Sequence, residues 1–230
     1  MQLSIPQIPI AKGGVRYNNR DFLLHLHNSP QFGSLGLKYW DYHERHIFMN
    51  ELICRIYTLH ELEKKFMQNE KPHSLRQEHR QIIFSIETLV YWLRKNVDEM
   101  IGFSFYLDFL AREGKEPKKL VASSIGGLLK NDAMKAKFKD HIMPLERLNE
   151  ISNTYKHSFV TSEAHVLIGR DEPVVNCLDL KRNSVDSPLI HHSFFLREMI
   201  SDYVSFFEYC RIALQAFEWP SLPPRANDQQ

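Results

Sequence analysis

Between Ser74 and Leu110 the apolar residues Ile82, Ile83, Ile86, Leu89, Val90, Leu93, Val97, Met100 and Ile101 recur at helical spacing. The pattern predicts one long helix over 74–111, ended by the charged run "REGKEPKK". A helix of that length needs an apolar surface to lie on. Asp41 to Asn69 supplies one, with Ile47, Phe48, Leu52, Ile53, Ile56, Leu59 and Leu62 in the same periodicity and Pro72 closing it. The two are expected to pack as an antiparallel hairpin.

The remaining elements are shorter. Leu120–Leu129 predicts a short helix broken by Gly126 and Gly127, and a further helix is expected over 142–159. "AHVLIG" and "VVNCLDLK" are short, β-branched and separated by Arg170–Pro173, which predicts a β-hairpin within 164–181. A last helix is expected over 192–217, before Pro220. The fold class that follows is mainly α, an antiparallel helical bundle with a small appended β-hairpin. Prolines 6, 9 and 30 and glycines 13, 14, 33 and 36 mark residues 1–37 as an irregular N-terminal arm. Residues 38–219 form the expected single bundle domain and 220–230 a flexible tail.

Charge excludes some functions. With 29 basic and 28 acidic side chains the chain has no global field, so nucleic acid would have to be held by a local patch. No apolar run reaches the ~20 residues of a membrane span, and no membrane partner is expected. Three widely spaced cysteines, Cys54, Cys177 and Cys210, point to a reducing cytoplasm and not to a disulfide framework.

The polar feature with the most chemistry is "LNEISNTYKHSF" at 148–159. At about 100° per residue Asn149, Asn153 and His157 form a ladder one turn apart, with Lys156 beside it. Asparagine within a helix costs a few tenths of a kcal/mol against alanine. Two of them predict that the amides have partners, so Asn153 and His157 are expected to face a groove or another helix. A second reading makes Lys156 and His157 complements of the helix macrodipole at its C-terminus.

This stretch, followed by a hairpin and a final helix, resembles HEPN-type helical bundles of prokaryotic toxin, defence and abortive-infection systems. Their motif is an arginine, commonly followed by a polar residue, and a histidine after four to six intervening residues. Asn153 and His157 match the polar residue and the histidine, while Ser152 occupies the arginine position. The resemblance implies an RNA-directed protein, with no cofactor or metal, and pairing of two protomers to build a cleft. Active relatives are metal-independent ribonucleases. Without the arginine, a binding protein or a catalytically impaired relative is the expectation.

Histidine can act as base or acid near neutrality, and a cation must stabilise the phosphorane. Lys156 offers a point charge only. Arg94 and Asp98 share a face of the long helix, where Arg94 is the candidate for the missing cation and a surface ion pair is the alternative. The set to test is His157 and Asn153 as catalytic candidates, with Lys156, Asn149, Arg94 and Asp98 as binding candidates.

The 12 histidines show no zinc-protease spacing, and His43 and His46 in "YHERHIF" are only three apart, so no metal site is expected. His60 and His79 fit solvated helix faces. The last helix is apolar over a wide arc, with Phe195, Met199, Tyr203 and Phe206 on one face and Phe207 and Cys210 widening it. Either a homodimer or a central position in a monomer would bury that arc. A non-catalytic interaction module with a partner protein remains the alternative function.

Overall fold

The computed structural model describes residues 4–10, 26, 28–29, 31–68, 76–157, 165–166, 171–180 and 188–218. The fold is mainly α: the described residues form six α-helices and two small antiparallel sheets. A two-residue pairing of β1 (Asn28–Ser29) with β2 (Gly33–Ser34) leads into α1 (Leu35–Gln68). α1 therefore starts inside the stretch expected to be irregular, while the expected tail 220–230 and most of the arm lie outside the described residues.

α1 and α2 (Arg76–Glu113), of 34 and 38 residues, form the expected antiparallel hairpin. Its register is visible in the cross-links: Arg45 to Glu99 at 2.6 Å, Arg55 to Gln81 at 3.1 Å and Glu63 to His79 at 3.1 Å. Ile53, Ile56, Ile82, Ile86, Leu89 and Leu93 are buried along the seam. Each such side chain contributes about 1.5–3 kcal/mol on leaving water. His60 and Glu63 are buried at 2% exposure, against the expectation of a solvated face; the His79 imidazole supplies the Glu63 contact.

α2 stops at Gly114, which has φ 65° and donates its N–H to the Leu110 carbonyl at 2.9 Å. The left-handed conformation is what glycine adopts without cost after a helix. No atom lies within 4 Å of where a Cβ would stand. Gly114→Ala is therefore expected to cost only the conformational term, about 1 kcal/mol, seen as a lower urea midpoint with an unchanged slope.

Short elements bridge to the third long packing surface. α3 (Ile125–Leu128) is capped by Ser124, whose hydroxyl accepts from Gly127 N, and α4 (Asp132–Lys137) by Asn131, which accepts from Met134 N. A 3-10 turn at Lys139–His141 then runs into α5 (Ile142–His157).

The second sheet contains the expected hairpin within 164–181 and extends it by a third strand. β4 (Val174–Leu180) pairs on one side with β3 (His165–Val166) and on the other with β5 (Leu189–Phe195), giving the order β3-β4-β5. Residues 192–195, expected to open the last helix, are strand. The alternative to a helix start is a ladder running from Val174↔Phe195 to Leu180↔Leu189, and β4 offers it. Val175 and Cys177 are fully buried, and β5 is an edge whose Leu189, Ile190 and Phe195 are exposed.

α6 (Leu196–Gln215) follows directly and buries one face against the rest of the bundle. Leu196, Met199, Ile200, Tyr203, Phe206, Phe207, Cys210 and Leu214 are all buried within the chain itself. Most of the expected arc is thus consumed by intramolecular packing, while Phe195 at its start and Ile212 farther along stay exposed. Residues 4–10 run against this core: Ile8 is 1% exposed and exchanges two 2.8 Å hydrogen bonds with the Asn50 amide. Among the described residues no helix is long and apolar enough to cross a membrane.

Candidate functional site

α5 decides where the ladder points. Leu145, Leu148, Ile151, Ser152 and Thr154 form its buried side. Asn149 is half-buried, and Asn153, Lys156 and His157 are exposed. Asn153 and His157 were expected to face a groove or another helix and not both to be fully exposed; both side chains are on the exposed side of α5, and His157 still interacts with a neighbour. The apolar stripe takes the inner face of α5, and a mid-helix asparagine costs too little to turn the helix against it.

Ser152 carries more information than the motif alone allowed. It is 2% exposed, on the inner face with Leu148 and Ile151. An arginine at this position would have to bring a guanidinium into the apolar layer, at several kcal/mol unless paired. The serine at the motif position is accordingly what the packing of this helix accommodates.

The two arginines closest to the argument are committed elsewhere. Arg94, 9% exposed, donates from Nε to both Asp98 oxygens at 3.0 and 2.9 Å. Asp98 Oδ1 also accepts from Ile125 N at 2.7 Å, so the pair ties α2 to the first turn of α3 and is not a solvated surface bridge. Arg147 lies 3.6 Å from Asp202 on α6, with its guanidinium carbon 4.8 Å from the Phe194 ring centre on β5. Glu150 stands 3.7 Å from His192 Nδ1. Through Arg147 and Glu150, α5 is docked on β5, beside the exposed ladder. The structure brings Asn153, Lys156 and His157 onto one exposed helix end and leaves Arg94 and Asp98 at another junction.

A second polar assembly was not foreseen. His46 Nε2 lies 2.6 Å from the Tyr203 hydroxyl, which accepts from Asn96 Nδ2 at 3.0 Å. Asn96 Oδ1 accepts in turn from Arg45 at 3.0 Å, and Arg45 reaches Glu99 at 2.6 Å. The chain of bonds joins α1, α2 and α6. Asn96 N–H occupies the phenol oxygen as donor, which leaves the phenol proton for an unprotonated His46 Nε2. Burial, with His43 adjacent, pushes the His46 pKa down to about 3. Burial raises the Tyr203 phenol, and burial alone would raise Glu99, but hydrogen bonds from Arg45 and Lys95 outweigh it and hold that carboxyl below its usual range.

This assembly is structural. His46 and Asn96 are 0% exposed, so no substrate reaches them. The signal for it was "YHERHIF": His43 and His46 do share a face, with ring centres 5.9 Å apart, but that face is the core. Among the described residues no group of three or more His, Cys, Asp or Glu side chains could hold a metal ion. Cys54, Cys177 and Cys210 form no disulfide.

Compared with protein-family models, with curated proteins and with solved structures, the chain matches none significantly.

Proposed function

We propose that this chain is an RNA-directed helical-bundle protein of the HEPN type, of the prokaryotic toxin or defence class, that binds RNA without a self-contained nuclease centre. The supporting observation is the exposed end of α5, where Asn153, Lys156 and His157 stand together in solvent. Amide, ammonium and imidazole are the groups that contact phosphate and base edges, and they are accessible here. What weighs against cleavage within one chain is the commitment of Arg94 to Asp98 and of Arg147 to Asp202 and Phe194. With Ser152 turned inward, the arginines Arg94 and Arg147 do not complete the ladder. A composite cleft in a cytoplasmic homodimer would place a second copy of the ladder opposite the first.

The reading is tested with purified protein and mixed RNA in EDTA. A low-salt mobility shift that weakens at least threefold in Lys156→Ala and His157→Ala, with no cleavage by wild type, is the expected result. EDTA-resistant cleavage lost in His157→Ala would instead establish an active nuclease. The second reading, a non-catalytic module that docks on a partner protein, is favoured by the exposed Leu189, Ile190 and Phe195 of edge strand β5. Absence of any RNA shift at low salt would decide for it.

A further inference from the structure

Residues 4–10, "SIPQIPI", are held by side chains of α1 and α6 that grip their main chain. The Asn50 amide donates to the Ile8 carbonyl and accepts from the Ile8 N–H, each at 2.8 Å. Arg197 Nη2 donates to the Ser4 carbonyl at 2.7 Å. Arg197 is itself fixed: its Nε donates to both Glu172 oxygens at 2.9 and 3.1 Å, and its guanidinium carbon lies 6.0 Å from the Tyr57 ring centre. The Pro9 carbonyl stands close enough to His46 to favour the charged imidazole. Ser4, Ile8 and Pro9 thus meet α1 near Tyr57, Asn50 and His46 in turn, so the segment runs antiparallel to that helix. The lengths agree. Five extended steps from Ser4 to Pro9 at about 3.3 Å match eleven helical residues from His46 to Tyr57 at about 1.5 Å, since both cover ~16 Å.

We propose that this surface is a peptide-docking groove with an exchangeable occupant, which takes residues 4–10 of a second copy of the chain as well as its own. Three observations support it. The first is the fit. The occupant whose bonds are measured is residues 4–10, and a second copy carries the same segment. The second is the lightness of the attachment. Of the seven residues only Ile8 is buried, while Ser4, Ile5, Gln7, Pro9 and Ile10 are exposed. One anchoring side chain with main-chain hydrogen bonds beside it is how short extended peptides bind.

Pro6 and Pro9 hold Ile5 and Ile8 before them in extended conformations, which lowers the ordering cost of docking in either setting. The third observation is reach. Residues 11–27 join the segment to β1, and at about 3.3 Å each they can extend to roughly 56 Å, the length of α2. A neighbouring molecule is within that distance. Exchange of an identical segment between two copies adds no new contact type, so it is a low-cost route to a pair. The inference is independent of RNA binding, because it uses no residue of α5.

The test uses full-length variants and a fluorescent peptide of residues 4–10. Ile8→Glu expels the chain's own segment and leaves the groove open, whereas Asn50→Ala keeps the segment and weakens the groove. The peptide is expected to bind Ile8→Glu with a Kd of about 0.05–0.5 mM. Wild type should bind it at least about fivefold more weakly, because its tethered segment competes at a millimolar effective concentration. Adding Asn50→Ala to Ile8→Glu should weaken the peptide at least about tenfold. Ile8→Ala repeats the comparison with a smaller disturbance of folding. Mixed at about 0.5 mM, Ile8→Glu and Asn50→Ala should form pairs in sedimentation equilibrium that neither forms alone. Pairing that persists equally in each variant alone would place the interface elsewhere and overturn the exchange. So would peptide binding without association of the mixed variants, equal binding of a scrambled peptide, or no saturable binding to Ile8→Glu and Ile8→Ala below about 5 mM.

Discussion

Lowering the pH from 7 to 3 is expected to remove about 4 kcal/mol of folding stability through His46 alone. The imidazole titrates at about 3 in the fold, against the ordinary 6.5 when the chain is unfolded. Above 6.5 both states hold it neutral and it has no effect on the pH dependence. Below 6.5 the unfolded chain takes up a proton that the folded chain refuses, so stability falls until the pH reaches about 3. Urea midpoints measured at intervals across that window check the slope. His46→Gln keeps a hydrogen-bonding side chain without a titrating group, and its stability should decline less steeply between pH 6.5 and 3 than wild type. Equal slopes in the two proteins would show that other groups govern acid unfolding.

Asn96→Ala is expected to cost about 3–4 kcal/mol at neutral pH. The amide is wholly buried and joins two groups: it donates to the Tyr203 hydroxyl, which also bonds His46, and accepts from Arg45, which also bonds Glu99. Removing it leaves a cavity, a phenol oxygen short of a donor, and the Arg45 guanidinium short of one of its two acceptors. Asn96→Leu fills the space but leaves both polar partners, and should recover less than half of the loss. Tyr203→Phe isolates one bond of the set. Combined with Asn96→Ala it should show clear non-additivity, because the first substitution has already removed what the second would break. Simple additivity of the two would sink the account of a coupled seam.

Much of the bundle was legible because its longest elements carry the signal in their own periodicity. α2 was placed to within two residues at each end: Ile82 to Ile101 repeat the stripe many times, and Gly114 and Pro117 lie just past its end. β5 was missed for the opposite reason. "LIHHSFF" is seven residues long, abuts a helix, and declares itself only through its pairing with β4. The ladder on α5 was read with the correct mutual spacing and the wrong exposure. A helical wheel fixes the angle between Asn153 and Ile151, not which of the two meets the core. The seam at His46, Asn96 and Tyr203 could not be read at all, since its bonds join positions 107 and 157 residues apart.

Those separations also order events in time. The α1–α2 hairpin zips from pairs 16 residues apart at Glu63–His79 to 54 apart at Arg45–Glu99, all closer in sequence than the bonds to α6, and the closer kind of contact forms faster. At that moment His46 and Asn96 still face water, and the hairpin has no reason to refuse them. Docking of α6 must then close a far longer loop and desolvate both groups at once, so it is the slow step. Folding of this chain should accordingly behave as a two-stage zipper, in which Tyr203→Phe chiefly accelerates unfolding and leaves the refolding limb almost unchanged.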